Sequence, residues 1–206
     1  MPQPQLPATV LTRAVTGRNR QIYYPQLANL ANHQAETQIN RILFQTVQGL
    51  IKDQQNVQVP GDTQMQGSYE IKNNQRGIFS TTLSNYAYTP RMAHGMTFLG
   101  SVTANIHTGA IYSLRSLFKP GSNYVEVISA HVKEQIRRRQ IPTLQEFTAI
   151  SPDQEFYLAD KTLVIYFQLY AITPYYVGFP MFPISVYDLE PIIDENGPLA
   201  ILAADI

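Results

Sequence analysis

The chain has 206 residues, of which 44% are hydrophobic and 15% are charged, and its formal net charge at pH 7 is +0. This length is enough for one substantial core or two small lobes, and the charge balance gives no overall field that would attract nucleic acid or an anionic membrane. Cysteine is absent, which excludes disulfides, thiolate metal sites and cysteine nucleophiles.

The N-terminal quarter combines a Pro- and Gln-rich start with a long helical pattern. The opening residues contain no apolar run long enough for a signal peptide or a membrane span. Residues 10–15 predict an edge strand. Apolar residues then recur at helical spacing and predict a long helix over residues 27–55, with Asn32 as its N-cap and Glu36 in its first turn.

The next segment is typical of strands, because aromatic and β-branched residues alternate with polar ones. We predict one hairpin that turns at Asn73 and Asn74, and a second hairpin that turns over residues 107–109 and continues into "AIYSLRSLF". Gly109 would supply the positive φ that such a turn needs. These strands are expected to be antiparallel and covered on one face by helix.

The second half predicts another helix and a third hairpin. Asn123 and Glu126 have the spacing of a capping box, and the arginines at 137–139 close the helix, where cations are favoured by its dipole. Residues 159–161 then form the turn of a hairpin. Ser185 and Asp188 cap a short final helical turn.

The order of these elements predicts an α+β fold, not a doubly wound sheet. We expect an antiparallel sheet packed by the long N-terminal helix and by a second, central helix, all in one compact unit. The sequence contains no internal repeat of fixed period and no linker between separate domains.

The sequence offers little for catalysis. It contains no nucleophile elbow, phosphate-binding glycine loop or zinc-ligand spacing, so we expect no cofactor and no metal. His94 is the weak catalytic candidate, because Arg91 and a flexible glycine share its loop. A lone loop histidine is more often a hydrogen-bonding residue than a base. The sequence therefore favours a protein that is not an enzyme.

The C-terminal part contains the candidate binding surface. From Asp153 onward there are eight carboxylates and one cation, Lys161, which is either a solvated face or a surface suited to a basic partner. A proline-rich loop in the same part supplies rigid aromatic side chains, which either return to the core or contact a ligand. The candidate ligand-binding residues are Tyr175, Tyr176, Phe179 and Phe182.

Several segments resemble a known pair of bacterial modules. "YYPQLANLANHQAETQINRIL" resembles the start of the DUF4163 module, the N-terminal module of the PdaC deacetylase type. "NIHTGAIYSLRSLFKPG", "EFYLADKTLVIYFQLYAITPYYVGFP" and "ISVYDLEPII" resemble the DUF3298 domain that normally follows it. On this resemblance, residues 22–104 are the DUF4163-like module and 105–193 the DUF3298-like module. Residues 1–21 are an extension or edge strand, and 194–206 a C-terminal tail.

The resemblance implies an α+β fold and a place outside the cytoplasm of bacteria. Its modules occur in the ectodomain of a lysozyme-sensing anti-sigma factor and ahead of peptidoglycan deacetylase domains. The resemblance alone shows neither activity for this chain. Together with the acidic C-terminal part and the aromatic loop, it leads us to expect a non-enzymatic recognition module of the cell envelope that binds a cell-wall component or a wall-active protein. The expected partner is a basic protein such as lysozyme, or a peptidoglycan fragment. The expected chain is secreted or membrane-anchored through a segment not in this sequence, with a cytoplasmic location less favoured.

Two alternatives remain open at this point. One is a hydrolase that acts on wall glycan or peptide through His94 and a carboxylate. The other is a structural protein of the envelope or spore, with neither ligand nor turnover. No nucleic-acid partner is expected, because basic and aromatic residues do not interleave.

Overall fold

The computed structural model describes residues 7–204, and the chain divides into two compact units, Met1–Ile111 (unit 1) and Tyr112–Ile206 (unit 2). Within the described residues, unit 1 has one five-stranded sheet and one α-helix, and unit 2 has one three-stranded sheet and two α-helices. The predicted α+β class is confirmed. The structure differs from the expected single compact unit with one antiparallel sheet, because the chain forms two compact units, each unit has its own sheet, and one strand pair in the larger sheet is parallel.

Unit 1 is a sheet with one long helix on one face. Its strands run in the order β1-β2-β3-β4-β5, and only β2 and β3 pair in parallel. Apolar side chains of α1 pack against β2, β4 and β5 and form the core of the unit. The elements are β1 (Thr9–Gly17), β2 (Arg20–Ala28), α1 (His33–Val57), β3 (Gln64–Gln75), β4 (Ile78–Tyr88) and β5 (Met96–Asn105).

The start of α1 differs from the prediction, although its cap does not. The helix begins at His33, because the chain before it is paired as β2 and leaves that strand at Asn29, where φ is 62°. The Asn32 side chain accepts hydrogen bonds from the backbone N–H groups of Gln34 and Ala35, as an N-cap does. The predicted cap and the predicted edge strand β1 are confirmed, whereas β2 was missed.

The turn between β3 and β4 lies three residues beyond the predicted one. Arg76 and Gly77 take positive φ values of 55° and 73°, the pattern of a tight hairpin turn. Asn73 and Asn74 lie within β3 instead. The carboxamide of Asn74 accepts from the N–H of Ala8 and donates to its carbonyl, so it bonds to the chain just before β1. This distant contact explains why an asparagine pair typical of turns is found in a strand.

The turn after β5 is confirmed, but the strand expected to follow it is wrong. Gly109 has φ 79°, and the Asn105 side chain accepts from the N–H groups of His107 and Thr108. Beyond this turn the chain forms isolated bridges, of Ile111 with Ala104 and of Phe118 with Ile193, in place of a continuous strand. Between these bridges the chain forms a 3-10 turn at Arg115–Leu117.

Unit 2 is a small antiparallel sheet, β6-β7-β8, with α2 packed against β8. The predicted turn at 159–161 is confirmed, with Asp160 at φ 49°. Strand β8 and helix α3 were not predicted. The elements are α2 (Tyr124–Arg139), β6 (Phe156–Ala159), β7 (Thr162–Tyr166), β8 (Met181–Ser185) and α3 (Pro198–Ala203).

The ends of α2 show one correct prediction and one wrong one. The helix ends at the arginine triplet, and Gln140 takes the left-handed conformation that terminates it. The capping box is wrong, because the Asn123 side chain accepts no bond from the first turn. Its amide instead donates to the Glu126 carboxylate at 3.3 Å.

Candidate functional site

The aromatic segment, residues 175–182, begins with a 3-10 turn at Tyr175–Val177 and runs into β8. Gly178 takes φ 78°, which lets the chain reverse between the two. Tyr176 is 79% exposed, and Tyr175 and Phe179 are half-buried. The segment therefore presents at least one large aromatic side chain to solvent.

Phe182 has a different environment from the other three aromatics. Its exposure is 0%, and its ring meets that of Phe167 edge-to-face, with centroids 5.8 Å apart. The guanidinium of Arg139 lies 5.6 Å from its centroid. Phe182 thus belongs to the core of unit 2, since pairing of β8 with β7 directs it inward.

Two further residues extend the exposed surface beside Tyr175. The ring of Tyr170 is exposed and lies 5.4 Å from that of Tyr175. Leu144 is exposed as well, and its N–H donates to the carbonyl of Ile172, which brings it to the same loop. We name Leu144, Tyr170, Tyr175 and Tyr176 the aromatic surface. Sequence reasoning missed Tyr170, because "VIYFQLYAI" reads as one continuous strand.

The charge beside the aromatic segment is positive at its β8 end. Arg139 donates from Nη1 to the carbonyl of Met181 at 2.7 Å, so the basic end of α2 lies against β8. Most of the C-terminal carboxylates are exposed, for example those of Asp153, Asp160 and Asp188. Glu155 differs, because it accepts from Gln168 Nε2 at 2.6 Å. Asp205 lies outside the described residues.

His94 occupies the exposed loop between β4 and β5. Its Nδ1 lies 2.8 Å from the carbonyl oxygen of Gly95, the next residue in the chain. This is a local contact of the kind that the sequence favoured for a lone loop histidine.

Unit 2 also contains a groove of about 740 Å³ that the sequence did not indicate. Arg115 and Lys119 contribute positive charge, and Lys119 pairs with Glu195 at 3.2 Å. Hydrogen bonding to Tyr124 raises the pKa of the Arg115 guanidinium above its ordinary value, and the charge of Asp153 adds to this effect. The groove has charges of both signs, and so it does not select an anion by charge alone.

Within residues 7–204, no three His, Asp or Glu side chains lie close enough together to hold a metal ion. In the same part of the chain, no helix has the length and apolar character needed to cross a membrane.

The chain is similar to a family of known proteins and to a bacterial anti-sigma factor. Residues 115–187, all within unit 2, match the model of the family described as "Protein of unknown function (DUF3298)". The chain is 28% identical over 182 residues to the anti-sigma-V factor RsiV of Bacillus subtilis (strain 168). That match covers 78% of this chain and 60% of RsiV, so the chain spans only part of that relative.

Two solved structures share the fold. A DUF3298 family protein from Pseudomonas aeruginosa PAO1 superposes with a TM-score of 0.67 at 16% identity, covering 93% of this chain and 96% of that one. A DUF3298 family member from Bacteroides fragilis NCTC 9343 gives the same TM-score at 11% identity, covering 98% of both chains. The likeness to DUF4163 in residues 22–104 stays a prediction. Residues 115–187 in unit 2 are thus similar to the DUF3298 family, and 78% of the chain is distantly similar to RsiV.

Proposed function

We propose that this chain is a non-enzymatic recognition module of the bacterial cell envelope, located outside the cytoplasm. Its ligand is a cell-wall component or a wall-active protein such as lysozyme. The observation that carries this proposal is the similarity to the anti-sigma-V factor RsiV, because it extends over 78% of the chain. The DUF3298 match in residues 115–187 supports the same reading.

The aromatic surface supports a protein partner. Tyrosine is enriched among the residues that dominate binding energy, because it combines a large contact area with few rotatable bonds. Tyr170 and Tyr176 are both exposed. The ring of Tyr170 contacts the ring of Tyr175, and this contact limits the side-chain motion that binding would have to suppress. We assign the anchor of the interaction to these side chains. Phe182 is left out of it, since its ring is fully buried.

The charge of unit 2 supports a basic partner. Seven of the eight C-terminal carboxylates lie within residues 153–204, where Lys161 is the only lysine or arginine. Most are exposed, so they act mainly by raising the association rate of a cationic protein, and salt screens them. Arg139 would repel such a partner at the β8 end of the aromatic segment. The contact is therefore expected at Tyr170 and Tyr176.

The proposal is tested by measuring association and dissociation rates of lysozyme on the immobilised chain over a series of salt concentrations. We expect added salt to slow association, and Tyr176→Ala to accelerate dissociation about tenfold or more. Tyr187→Ala is the matched control, because it removes another exposed tyrosine of unit 2. Circular dichroism checks that both variants are folded.

Peptidoglycan fragments are titrated in parallel by calorimetry. Absence of binding to both lysozyme and the fragments would refute the proposed function. Equal dissociation rates for Tyr176→Ala and Tyr187→Ala would show that the aromatic surface is not the binding site. An association rate that does not depend on salt would show that the carboxylates do not contribute.

A further inference from the structure

One face of the five-stranded sheet in unit 1 is free of α1. The alternation of side chains along a strand shows this directly. Ile22 is buried in the core of α1 and the sheet, whereas its neighbours Gln21 and Tyr23 are exposed. In β4, Ala87 is buried and Tyr86 is exposed in the same way. The exposed members of these pairs share the face of the sheet opposite α1.

The strand register brings side chains of β2, β3 and β4 together on that face. Gln66 of β3 lies between Gln21 of β2 and Tyr86 of β4. Two residues further along β3, Ser68 pairs with Ser84 of β4. They surround a groove of about 420 Å³, which we name the sheet groove and which is lined by Gln21, Tyr23, Gln66, Gly67, Ser68, Ser84 and Tyr86.

The lining of the sheet groove has a distinctive chemistry. None of its residues is charged, and its polar groups are two carboxamides, two serine hydroxyls and two phenols, which donate and accept hydrogen bonds. Tyr23 and Tyr86 are each 41% exposed, so their rings offer apolar faces as well. A ligand that fits must be uncharged, rich in groups that both donate and accept, and apolar on part of its surface.

We propose that the sheet groove binds a neutral oligosaccharide. Sugar hydroxyls both donate and accept hydrogen bonds, which matches carboxamides and hydroxyls, and the C–H faces of a pyranose ring pack on aromatic rings. An anionic or cationic ligand would find no counter-charge among the lining residues. The groove volume lies within the range of small-molecule sites in proteins.

Contacts already present hold the groove in shape. The ring of Tyr86 lies against the backbone of Gly95, leaving no room there even for a β-carbon. The Gln21 carboxamide donates to the hydroxyl of Tyr23, and the hydroxyls of Ser68 and Ser84 are 3.0 Å apart. Because these side chains stand on paired strands, binding requires little additional ordering.

Gln66 is the group left available for a ligand. Its side chain is exposed, and its carboxamide has no hydrogen-bond partner among residues 7–204. It lies at the centre of the groove, between Gln21 and Tyr86. We therefore assign to Gln66 the direct hydrogen bonds to the saccharide and to the two tyrosines the ring contacts.

This inference rests on the recognition role proposed above, for which it names a ligand class, but it uses a surface other than the aromatic one. The full chain, labelled with 15N, is titrated with a β-1,4-linked N-acetylglucosamine tetramer, with cellotetraose and with an anionic heparin tetrasaccharide. We expect saturable shifts at the Gly67 amide and the Gln66 side chain with a neutral tetramer. Heparin should produce none.

Variants then separate the contributions. Tyr86→Ala, Tyr23→Ala and Gln66→Ala should each weaken binding about tenfold, and Tyr86→Phe should retain most of it because the ring remains. Leu11→Ala is the control, since Leu11 is equally exposed on β1 of the same sheet but outside the groove. Gln66→Ala should remain folded, because this side chain makes no internal hydrogen bond in the described structure. Weaker binding in this variant therefore cannot be attributed to unfolding.

The outcomes distinguish this inference from the proposed function. Lysozyme binding that survives in Tyr86→Ala, together with lost saccharide binding, supports two separate surfaces. If neither neutral tetramer shifts the Gly67 and Gln66 signals, saccharide binding in the sheet groove is refuted, but the proposed lysozyme recognition is unaffected. Tighter binding of heparin, or an equal loss in Leu11→Ala, refutes the sheet groove as a neutral-saccharide site as well.

Discussion

The α-carbon of Ala35, in the first turn of α1, lies 2.8 Å from the position that a β-carbon on Gly109 would occupy. The turn after β5 therefore packs its backbone directly against the start of the helix. Asn32 strengthens this junction, because its Nδ2 donates to the carbonyl of His107 at 2.8 Å. The same asparagine caps α1, so one side chain joins the helix start to the turn.

Gly109→Ala should lower the free energy of unfolding by about 2 kcal/mol or more. The added methyl group collides with Ala35, and its residue must hold φ 79°, which costs an L-amino acid energy. Chemical denaturation measures the change. His107→Ala is the control and should cost within about 0.5 kcal/mol, because only the backbone carbonyl of His107 bonds to Asn32. Equal losses in the two variants would contradict this account.

Gln54→Leu should destabilise the chain by about 1–3 kcal/mol, although it adds an apolar side chain to a buried position. Gln54 is fully buried in α1, and its Nε2 donates to the carbonyls of Asn85 and Met96 at 2.6 and 2.8 Å. Leucine would leave both carbonyls without this donor. The same substitution at exposed Gln55 is the control for helix propensity, and a stability gain in Gln54→Leu would refute the prediction.

Phe182→Ala should lower the stability of the chain strongly, whereas Tyr176→Ala should not. Phe182 is fully buried, so its truncation should cost about 3–5 kcal/mol of unfolding free energy. Tyr176→Ala should leave the thermal midpoint nearly unchanged, because 79% of this residue is exposed. Differential scanning calorimetry distinguishes the two. A large loss in Tyr176→Ala would place its ring in the core and remove it from the binding surface.

Dialysis against a chelator should leave the thermal midpoint unchanged. The sequence has no cysteine, and residues 7–204 contain no cluster of three side chains able to hold a metal ion. Zinc or calcium retained at one equivalent after dialysis, with a lower midpoint once it is removed, would contradict the expectation. Elemental analysis of the purified chain provides the stoichiometry.

The start of α1 shows how far local sequence signals reach. Asn32 and the apolar stripe that follows it specify a capped amphipathic helix through contacts within a few residues. The φ of Gly109 follows from local turn chemistry in the same way. The predicted beginning of the helix lies six residues too early, because Leu27 has helical spacing but belongs to β2. The side chain of Asn40 accepts from the N–H of Leu27 and donates to the carbonyl of Leu27.

The candidate site was only partly predictable for a related reason. An aromatic, proline-rich stretch indicated a binding loop, and the exposure of Tyr176 agrees with that hypothesis. Whether Phe182 belonged to the loop or to the core depended on the pairing of β8 with β7, which no local pattern encodes. Tyr170 entered the surface only through its contact with Tyr175.

By itself, the sequence determined the α+β class, the N-cap of α1, the turns at Gly109 and Asp160, and the absence of thiol chemistry, because these depend on composition and on neighbours within one turn or hairpin. The tertiary structure alone decided which strands pair and which side chains meet across them. Gln21, Gln66 and Tyr86 come from three strands and share a groove only because the parallel pairing of β2 with β3 sets their register. A shift of one residue in that register would turn the residues of one strand to the opposite face, and so the groove is a property of the folded sheet.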